Sequence, residues 1–215
     1  MANTFLLSKT SGHEVLRSSH PAAYHPPWDA QPHTPLLPGA LLGAEGRVLE
    51  IGIGPGLNLP LYGSQAKEVL GLDPSSRLIA MAERAALRLA LPVRFIEGTA
   101  EAIPLERGSV DTVLTTWTLC TIPAAVRALE EMRRVLKARG RLLFVEQGLP
   151  TEDGVRGWQG RLTPLRKRIG GGCHLNRPIW NLIETAGFEI TRIETGCALG
   201  PKPMHFTYEG GARPA

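Results

Sequence analysis

"VLEIGIGPGLNLPLY" (residues 48–62) ends an apolar run with Glu50 and then carries Gly52, Gly54 and Gly56 at alternate positions. Glycine adopts backbone conformations that other residues rarely reach, and it lets a ligand approach the bare main chain. A helix that follows such a turn presents its N-terminus, where an anionic group is stabilised. The stretch therefore predicts a strand, a tight ligand-binding turn and a helix. Glycines that serve only the turn are the structural alternative.

Four more apolar runs of strand length follow, and segments with helical periodicity separate several of them. The runs are "EVLGLD" (68–73), "VRFIEG" (93–98), "VDTVLTTW" (110–117) and "RLLFVEQ" (141–147). Buried runs that alternate with helices are typical of a parallel sheet covered by helices on both faces. One predicted helix starts at Pro74, a second ends at Gly140, and a third covers about residues 177–186.

The last two runs, "FEITRIET" (188–195) and "MHFTYEGGA" (204–212), lie too close together for a helical crossover. We expect them to pair antiparallel, because parallel neighbours need a connection of about a dozen residues or more. The sequence therefore predicts an α/β fold with a doubly wound, mostly parallel seven-stranded sheet that contains one antiparallel strand.

Residues 1–45 differ from the rest of the chain, since they are rich in histidine and proline and show no sustained helical or strand period. We expect an irregular N-terminal arm ahead of a domain at residues 46–215. His20, His25 and His33 lie close in sequence, but no cysteine or carboxylate pattern completes a ligand set. No metal site is predicted.

Composition limits the class of protein. With 43% hydrophobic residues the chain of 215 residues can bury a full core, and its net charge of +4 is too weak and too dispersed to indicate nucleic-acid binding. No apolar run reaches the length of about 18 residues that a membrane span needs. Three widely spaced cysteines favour reduced thiols over a disulfide framework. We expect a soluble cytoplasmic protein.

Two carboxylates at strand ends indicate which ligand the turn binds. A buried Glu50 beside the turn would repel a pyrophosphate but attract an ammonium or sulfonium group, which favours S-adenosylmethionine over a dinucleotide. Asp73 ends the next strand, 23 positions after Glu50, where an acidic side chain can accept both ribose hydroxyls. The alternative is that Asp73 only caps the helix that follows it.

Motifs between residues 47 and 148 resemble the class I S-adenosylmethionine-dependent methyltransferases. The matching segments are "VLEIGIGPG", "GLDPS", "EGTAEAIPLERGSVDTVLTTWTLCTI" and "EEMRRVLKARGRLLFVEQ". The resemblance implies the Rossmann-like methyltransferase fold. It also implies S-adenosyl-L-methionine as the cofactor and S-adenosyl-L-homocysteine as its product.

The same resemblance implies which residues contact each part of the cofactor. They are Glu50, Gly52, Gly54, Gly56 and Asn58 at the methionine part, Asp73 and Pro74 at the ribose, Thr99, Ala100 and Glu101 at the adenine, and Thr116 at the amino-acid tail. Considered without the family, Glu101 is equally consistent with a solvated side chain at a helix start.

The segments "WTLCTI", "FVEQG" and "GGGCHLNRPIWNLIETAGFEI" are similar to the methyltransferase-like seven group of animal thiol S-methyltransferases and their bacterial type 11 relatives. Such relatives commonly carry a histidine where this chain has Gln147. The animal members also have an N-terminal membrane anchor, for which residues 1–45 show no equivalent. The resemblance implies methyl transfer to a small, apolar thiol or similar soft nucleophile. Gln147 and His174 are the candidate catalytic residues, which would orient the acceptor.

Several residues near these motifs also have structural interpretations. His174 accepts a proton or positions the substrate, or it makes a structural hydrogen bond. Cys120 and Cys173 are interpreted as packed small apolar residues, because methyl transfer needs no covalent enzyme intermediate. Trp117, just past the fourth strand, either lines the acceptor pocket or packs in the core.

A predicted insertion at about residues 148–175 is longer than most loops without structure of their own. It carries a basic amphipathic stripe whose apolar members are Val155, Trp158, Leu162, Leu165 and Ile169. The stripe predicts a lid over a small apolar substrate, a membrane-surface helix or another core helix. Residues 170–172, all glycine, suit a hinge.

The same cofactor turn is compatible with other functions. A phospholipid-headgroup or quinone methyltransferase would work at a membrane surface, and a regulator would bind the cofactor without catalysis. A nicotinamide dehydrogenase is disfavoured by Glu50 and by the terminal hairpin. The predicted partner is a small-molecule substrate, membrane contact is less favoured, and no nucleic acid is expected. The acceptor's identity and the oligomeric state are not specified by the sequence.

Overall fold

The computed structural model describes residues 43–150, 159–164, 173–197 and 206–215, together with the backbone of residues 6–10 and 13–17. Its strands are β1 (Leu6–Thr10), β2 (His13–Arg17), β3 (Gly46–Ile51), β4 (Ala66–Asp73), β5 (Val93–Glu97), β6 (Val110–Thr116), β7 (Leu136–Gln147), β8 (Phe188–Cys197) and β9 (Phe206–Pro214). Its longer helices are α1 (Ser76–Ala86), α2 (Ala125–Val135) and α3 (Ile179–Thr185). Short 3-10 turns cover Leu59–Leu61 and Ala100–Ala102, and residues 159–164 are helical.

The strands form one sheet in the order β1-β2-β5-β4-β3-β6-β7-β9-β8. From β3 the chain moves outward through β4 and β5, and it then crosses back to place β6 and β7 on the other side of β3. β3 and β6 pair in parallel from Val48 opposite Thr112 to Ile51 opposite Thr115. Ligands of open α/β sheets bind beyond the carboxyl ends of the strands at such a reversal. The topology therefore locates the candidate site at the ends of β3 and β6.

β9 runs antiparallel to both of its neighbours, β7 and β8. The predicted antiparallel pairing of the last two runs is confirmed. Strands β3 to β9 form the predicted doubly wound sheet of seven strands, in which β9 is the single reversed strand. The predicted fold class is confirmed.

β1 and β2 add two strands to the edge of this sheet. They pair antiparallel with each other, and β2 pairs in parallel with β5 from Val15 opposite Phe95 to Arg17 opposite Glu97. The prediction of an irregular arm is wrong for these two short segments. A short edge strand is joined through main-chain hydrogen bonds, so it needs no long alternation of side chains that sequence periodicity could detect.

Helix α1 begins at Ser76 rather than at the predicted Pro74. Ser75 is its N-cap, and the Ser75 hydroxyl accepts a hydrogen bond from the backbone N–H of Leu78 at 3.1 Å. A serine oxygen satisfies one of the free N–H groups of the first turn, which the proline ring at the preceding position cannot do. The buried face of the helix consists of Ile79, Ala82 and Ala86.

Helix α2 ends at Val135, five residues before the predicted end at Gly140. Leu136 already pairs with Val110 as the first residue of β7, and the N–H of Ser109 donates to the Val135 carbonyl at 2.8 Å. A Cβ at Gly140 would lie 3.0 Å from two backbone carbonyl oxygens. The glycine therefore permits close packing within an irregular strand and does not end a helix.

The core lies on both faces of the sheet, because successive strand residues point to opposite sides. In β3, Val48 packs in a cluster with α1, whereas Leu49 packs in a cluster with α2 and α3. Phe95 and Phe144, both fully buried, belong to these two clusters respectively. Burial of a large apolar side chain contributes about 1.5–3 kcal/mol. The two clusters hold the strand ends of the candidate site in fixed positions.

Candidate cofactor and acceptor site

The turn after β3 contains three glycines with positive φ, at +67° for Gly52, +54° for Gly54 and +81° for Gly56. A Cβ at Gly52 would lie 2.5 Å from the hydroxyl of Thr118, and one at Gly56 would lie 2.9 Å from Leu59. At Gly54 the nearest atom would be the Gly52 carbonyl oxygen at 4.0 Å. Gly52 and Gly56 therefore permit packing within the protein, whereas the main chain at Gly54 borders open space.

Asp73 connects this turn to the end of β4. Its Oδ2 accepts a hydrogen bond from the N–H of Gly54 at 3.0 Å, and its Oδ1 accepts one from the N–H of Ser75 at 2.9 Å. Its carbonyl oxygen accepts one from the N–H of Gly98 at 3.1 Å, at the end of the neighbouring β5. Because Ser75 is the N-cap of α1, capping by Asp73 itself is not the arrangement found. Asp73 lies where the sequence predicts the ribose contact.

Glu50 anchors a polar chain between β3 and β6. Its Oε1 accepts a hydrogen bond from the amide of Asn58 at 2.8 Å, and its Oε2 accepts one from the hydroxyl of Tyr62 at 2.7 Å. The same Asn58 amide nitrogen donates to the hydroxyl of Thr116 at 2.9 Å. Glu50 is 0% exposed, whereas Asn58 and Thr116 are half-buried. Asn58 therefore links the buried carboxylate of Glu50 by a hydrogen bond to the edge of the sheet.

Burial controls the ionisation of this chain. Loss of solvation raises the pKa of Glu50 to about 7, and the hydrogen bonds from Tyr62 and Asn58 counteract only part of that rise. The pKa of Tyr62 lies well above its ordinary value, because its hydroxyl is buried and faces the Glu50 carboxylate. Near neutral pH, Glu50 is poised between its neutral and charged forms.

The predicted adenine segment follows β5. Ala100 is buried, and Thr99 and Glu101 are half-buried. The Glu101 carboxylate accepts a hydrogen bond from the N–H of Ala124 at 3.4 Å, and its carbonyl accepts one from the Arg127 guanidinium at 3.3 Å. Glu101 is therefore connected to the start of α2 and is not a freely solvated side chain.

Trp117 ends β6 in an unusual conformation. Among the residues that the structure describes, Trp117 is the one non-glycine residue with a positive φ, which is +53°. For a residue with a side chain this left-handed region costs about 1–2 kcal/mol. The N–H of Trp117 donates to the Val145 carbonyl at 2.9 Å, and the side chain is half-buried. The turn directs the following N–H groups toward β7.

Glu146 receives those N–H groups. Its Oε1 accepts hydrogen bonds from the Thr115 hydroxyl at 2.6 Å and from the N–H of Thr118 at 3.1 Å. Its Oε2 accepts one from the N–H of Leu119 at 3.0 Å. Glu146 is 0% exposed, and burial raises its pKa to about 7 despite these three donors. A second buried carboxylate thus fixes the turn after β6.

A group of thiols and basic side chains lies beyond this turn. Cys120 and Cys173 are buried and pack with Leu175, which confirms the interpretation of the two cysteines as packed residues. The N–H of His174 donates to the Cys120 carbonyl at 2.8 Å. The Arg177 guanidinium donates to the carbonyl of Leu119, and its Nη2 lies 3.3 Å from Nδ1 of His174. His174 therefore borders the turn after β6, on the side away from β4.

Gln147 is the last residue of β7, opposite Thr207 of β9, and is 1% exposed. In the helical residues 159–164, the Gln159 amide donates to the Gly148 carbonyl at 3.1 Å. Leu162 packs against the cluster formed by Cys120, Cys173 and Leu175. The other apolar members of the predicted stripe and residues 170–172 lie outside the described residues.

Other features are located away from this edge or fall outside the described chain. His20, His25 and His33 lie outside the described residues, and within those residues no group of three histidines, cysteines or acids is arranged to hold a metal. A cleft of about 420 Å³ lies at the opposite end of the strands, near Arg141 and Arg192. No helix in the described part of the chain is long and apolar enough to cross a bilayer.

The structure brings together most of the predicted cofactor residues at the ends of β3, β4 and β6. The sequence motifs do not indicate a role for Tyr62 or Glu146. Tyr62 lies within the quoted stretch, but a tyrosine 12 positions from Glu50 carries no motif of its own. Glu146 ends an apolar run in the same way as Glu50, and that similarity was the available signal.

Comparison with known proteins agrees with this geometry. Residues 49–144 match the family model described as a methyltransferase domain. Thiol S-methyltransferase TMT1B of Rattus norvegicus is 36% identical over 154 residues, which cover 68% of this chain and 62% of the relative. The Homo sapiens protein of the same name is 35% identical over 163 residues, which cover 72% of this chain and 65% of the relative. The chain thus spans less than two thirds of the length of these relatives.

A solved SAM-dependent methyltransferase of Methanosarcina mazei has a similar fold. It superimposes with a TM-score of 0.65 at 23% identity, over 81% of this chain and 94% of that chain. At this identity the likeness bears on the fold alone. The resemblance predicted from the sequence motifs is confirmed by the family match and by these relatives. Residues 49–144, a little less than half of the chain, are thus similar to the methyltransferase domain that this family model describes.

Proposed function

We propose that this protein is an S-adenosylmethionine-dependent methyltransferase that acts on a small, apolar thiol or a similar soft nucleophile. The observation that carries the proposal is the polar chain of Glu50, Asn58 and Thr116 across the strand-order reversal, beside the open main chain at Gly54. A carboxylate that is linked to an accessible amide favours a positively charged ligand at this point. The thiol activity in the names of the similar proteins supports the acceptor class.

The residues present fit the cofactor that the domain implies. The open space at Gly54 admits a ligand against the main chain, and the carboxylate of Asp73 lies beside it at the end of β4. Asp73 would hold the ribose next to Pro74, and Thr99, Ala100 and Glu101 would border the adenine. Asn58 and Thr116 would contact the amino-acid tail, with Glu50 behind them.

Methyl transfer to a thiol needs little acid–base catalysis from the protein. The bound cofactor supplies a methyl carbon on a positively charged sulfur. The protein has to hold the acceptor sulfur about 3–3.5 Å from that carbon and in line with the breaking bond, which by itself supplies much of the rate. A thiol with a pKa near 8.5 is already ionised to a few per cent at neutral pH. Gln147 and His174 would orient it in place of a base.

The apolar cluster supports an acceptor site that excludes water. Cys120, Cys173, Leu162 and Leu175 pack together next to the turn that follows β6. When a thiolate attacks a sulfonium, opposite charges cancel in the transition state, and a dry environment favours that change. We therefore expect small apolar thiols to be better acceptors than strongly hydrated ones.

Transfer of labelled methyl groups tests the proposal directly. The protein is incubated with methyl-labelled S-adenosylmethionine and with panels of thiols, amines, phenols and lipids, and product is measured by mass. We expect methylated thiols. Asp73→Asn should abolish transfer by weakening cofactor binding, whereas Glu189→Gln, an exposed carboxylate on β8, should leave it unchanged. Transfer to amines or phenols without transfer to thiols would overturn the acceptor class.

Two further measurements separate the other functions. Thermal unfolding with S-adenosylhomocysteine or with NAD distinguishes the cofactors, because a ligand at a hundred times its Kd adds about 2.7 kcal/mol. Tight binding of S-adenosylhomocysteine without turnover on any panel would indicate a regulator. Co-sedimentation with liposomes and transfer to lipid alone would indicate a membrane-surface methyltransferase.

A further inference from the structure

Arg177 is a half-buried cation at the acceptor side of the candidate site. Its guanidinium donates to the carbonyl of Leu119 and lies 3.3 Å from Nδ1 of His174. Both of these acceptors are uncharged when the histidine is neutral. Among the described residues Arg177 forms no ion pair with a carboxylate, whereas Arg47, Arg134, Arg192 and Arg213 do.

The surroundings make this charge costly. Burial lowers the pKa of the Arg177 guanidinium, and the groups that favour its charge are Cys120, Cys173, Glu146 and Glu101, in order of their effect. The pKa of Cys120 lies well above its ordinary value, so this thiol is neutral near pH 7 and supplies no anion. A guanidinium nevertheless stays protonated in proteins. A partly desolvated cation that has no carboxylate in direct contact is stabilised when an anion binds beside it.

The position of Arg177 connects it to the reacting part of the site. Leu119, whose carbonyl accepts its hydrogen bond, belongs to the turn that Glu146 fixes after β6. Thr118 of the same turn donates to the Ile51 carbonyl at 3.3 Å, directly before the glycine turn. Arg177 therefore lies on the side of β6 that faces away from β4, where an acceptor would approach.

We propose that Arg177 binds the anionic sulfur of the acceptor, with His174 and the Leu119 carbonyl holding the guanidinium in place. This inference rests on the proposed function and names the residue that replaces a general base. A glutamine at position 147 cannot take a proton from a thiol, whereas a cation beside the sulfur favours its ionised form. Arg177 thereby selects acceptors that ionise at the attacking atom.

The step balances without a further reactant. The acceptor's S–H proton passes to solvent as the thiolate binds at Arg177. A lone pair of the sulfur forms the new bond to the methyl carbon, and the bond from that carbon to the sulfonium sulfur breaks with its electron pair remaining on the leaving sulfur. The negative and positive charges disappear together, and both products are neutral thioethers. Arg177 then loses its anionic partner, which favours product release.

An aryl thiol tests the contact without turnover. Thiophenol absorbs differently as thiol and as thiolate, and it is titrated against pH while bound to the complex with S-adenosylhomocysteine. We expect the wild-type protein to lower the apparent pKa of the bound probe by about 1–3 units, the size of effect that an adjacent opposite charge produces. Arg177→Met should abolish the shift, and Arg177→Lys should retain part of it. Arg192→Met, which removes an exposed arginine of β8, is the matched control and should keep the full shift.

Turnover provides the second measurement. In Arg177→Met the rise of kcat with pH should move up toward the pKa of the free acceptor thiol, and its position should therefore differ between an alkyl thiol and a more acidic aryl thiol. Titration of Glu146 or His174 would affect all acceptors alike, so the dependence on the acceptor isolates the role of Arg177. The affinity for S-adenosylhomocysteine should stay unchanged.

The results distinguish failure of the role proposed for Arg177 from failure of the proposed function. An unchanged probe shift and pH profile in Arg177→Met, in a protein that methylates thiols, would overturn the role of Arg177 and leave the proposed function intact. Failure of the wild-type protein to methylate any thiol, with amines or phenols accepted, would overturn the proposed function itself. If Arg177→Met does not fold, Arg177→Lys decides. This variant keeps the positive charge, so complete loss of the pKa shift of the bound probe in folded Arg177→Lys would contradict a contact based on charge.

Discussion

The side-chain amide nitrogen of Asn58 donates a hydrogen bond of 2.8 Å to Oε1 of Glu50, and it thereby connects a fully buried carboxylate to the edge of the sheet. A carboxylate at the surface would be screened by water, whereas a buried one keeps its field and its hydrogen-bond partners fixed. The same nitrogen donates to Thr116, so that the turn after β3 and the end of β6 are held together. The candidate cofactor site depends on this connection.

Asn58→Ala should weaken both cofactor binding and the fold. The change removes one donor to a buried carboxylate, and hydrogen bonds to charged groups contribute about 1.5–3 kcal/mol. We expect the free energy of unfolding in urea to fall by about that amount and the Kd for S-adenosylhomocysteine to rise. Leu57→Ala, at the exposed neighbouring position, is the control and should change neither quantity strongly. Wild-type affinity in Asn58→Ala would exclude the connection from cofactor binding.

The raised pKa of Glu50 predicts the direction in which stability changes with pH. Its value of about 7 in the folded protein exceeds the ordinary value of 4.5, so the folded state binds more protons between these limits. The free energy of unfolding should therefore fall as pH rises from about 4.5 to about 7, by an amount on the order of 3 kcal/mol from this group. Glu146, with its pKa also raised to about 7, acts in the same direction.

Glu50→Gln isolates that contribution, because the amide is neutral at every pH. Its oxygen can still accept from Asn58, and its nitrogen can donate to the oxygen of Tyr62. Urea unfolding measured across this pH range should give a flatter dependence in the variant than in the wild type. Glu189→Gln should keep the wild-type slope. Equal slopes in Glu50→Gln and the wild type would contradict the raised pKa.

Cofactor binding should release protons near pH 7. Glu50 is then partly protonated, and a positively charged methyl donor favours its charged form and so lowers its pKa. Calorimetry of S-adenosylmethionine binding in buffers with different ionisation enthalpies should give a release of about half a proton at pH 7. The release should disappear in Glu50→Gln. A persisting release in that variant would assign the proton to another group.

Gly54→Ala should mainly weaken cofactor binding, whereas Gly56→Ala should mainly lower the stability of the fold. An added Cβ at Gly54 meets no atom nearer than 4.0 Å, so the cost to stability is the left-handed backbone alone, about 1–2 kcal/mol. At Gly56 the same atom would lie 2.9 Å from Leu59 and 3.1 Å from the backbone of Ala82. We expect Gly54→Ala to fold and lose affinity for S-adenosylhomocysteine, and Gly56→Ala to lower the Tm further. Normal affinity in folded Gly54→Ala would contradict an approach of the cofactor to this main chain.

Thr115→Val tests the polar contacts of Glu146. The valine has nearly the shape of threonine but lacks the hydroxyl that donates to Oε1 of Glu146 at 2.6 Å. We expect a loss of about 1.5–3 kcal/mol in the free energy of unfolding. Thr115→Ser keeps the donor and removes a methyl group, so its loss should be only about 0.8 kcal/mol. The reverse order of the two losses would indicate that packing, and not the hydrogen bond, matters at this position.

The positions of Glu50 and Asp73 were predictable because each ends a buried apolar run, and strand ends of a parallel sheet meet at one edge. The edge strands β1 and β2 were not, since main-chain pairing leaves little side-chain pattern. Gly140 was misinterpreted because a glycine after a helical pattern commonly ends a helix. Here its lack of a side chain permits close packing in β7.

The sequence by itself determined the fold class, the glycine turn and the two acidic residues beside it, because periodicity and backbone freedom are local properties of the chain. Only the tertiary structure decided that Tyr62 and Asn58 share the carboxylate of Glu50, and that Arg177 lies against the turn held by Glu146. These contacts join residues that are distant in the sequence or that carry no motif. Burial determines the chemistry of these groups, because it raises the pKa values of Glu50 and Glu146 and lowers the pKa of Arg177.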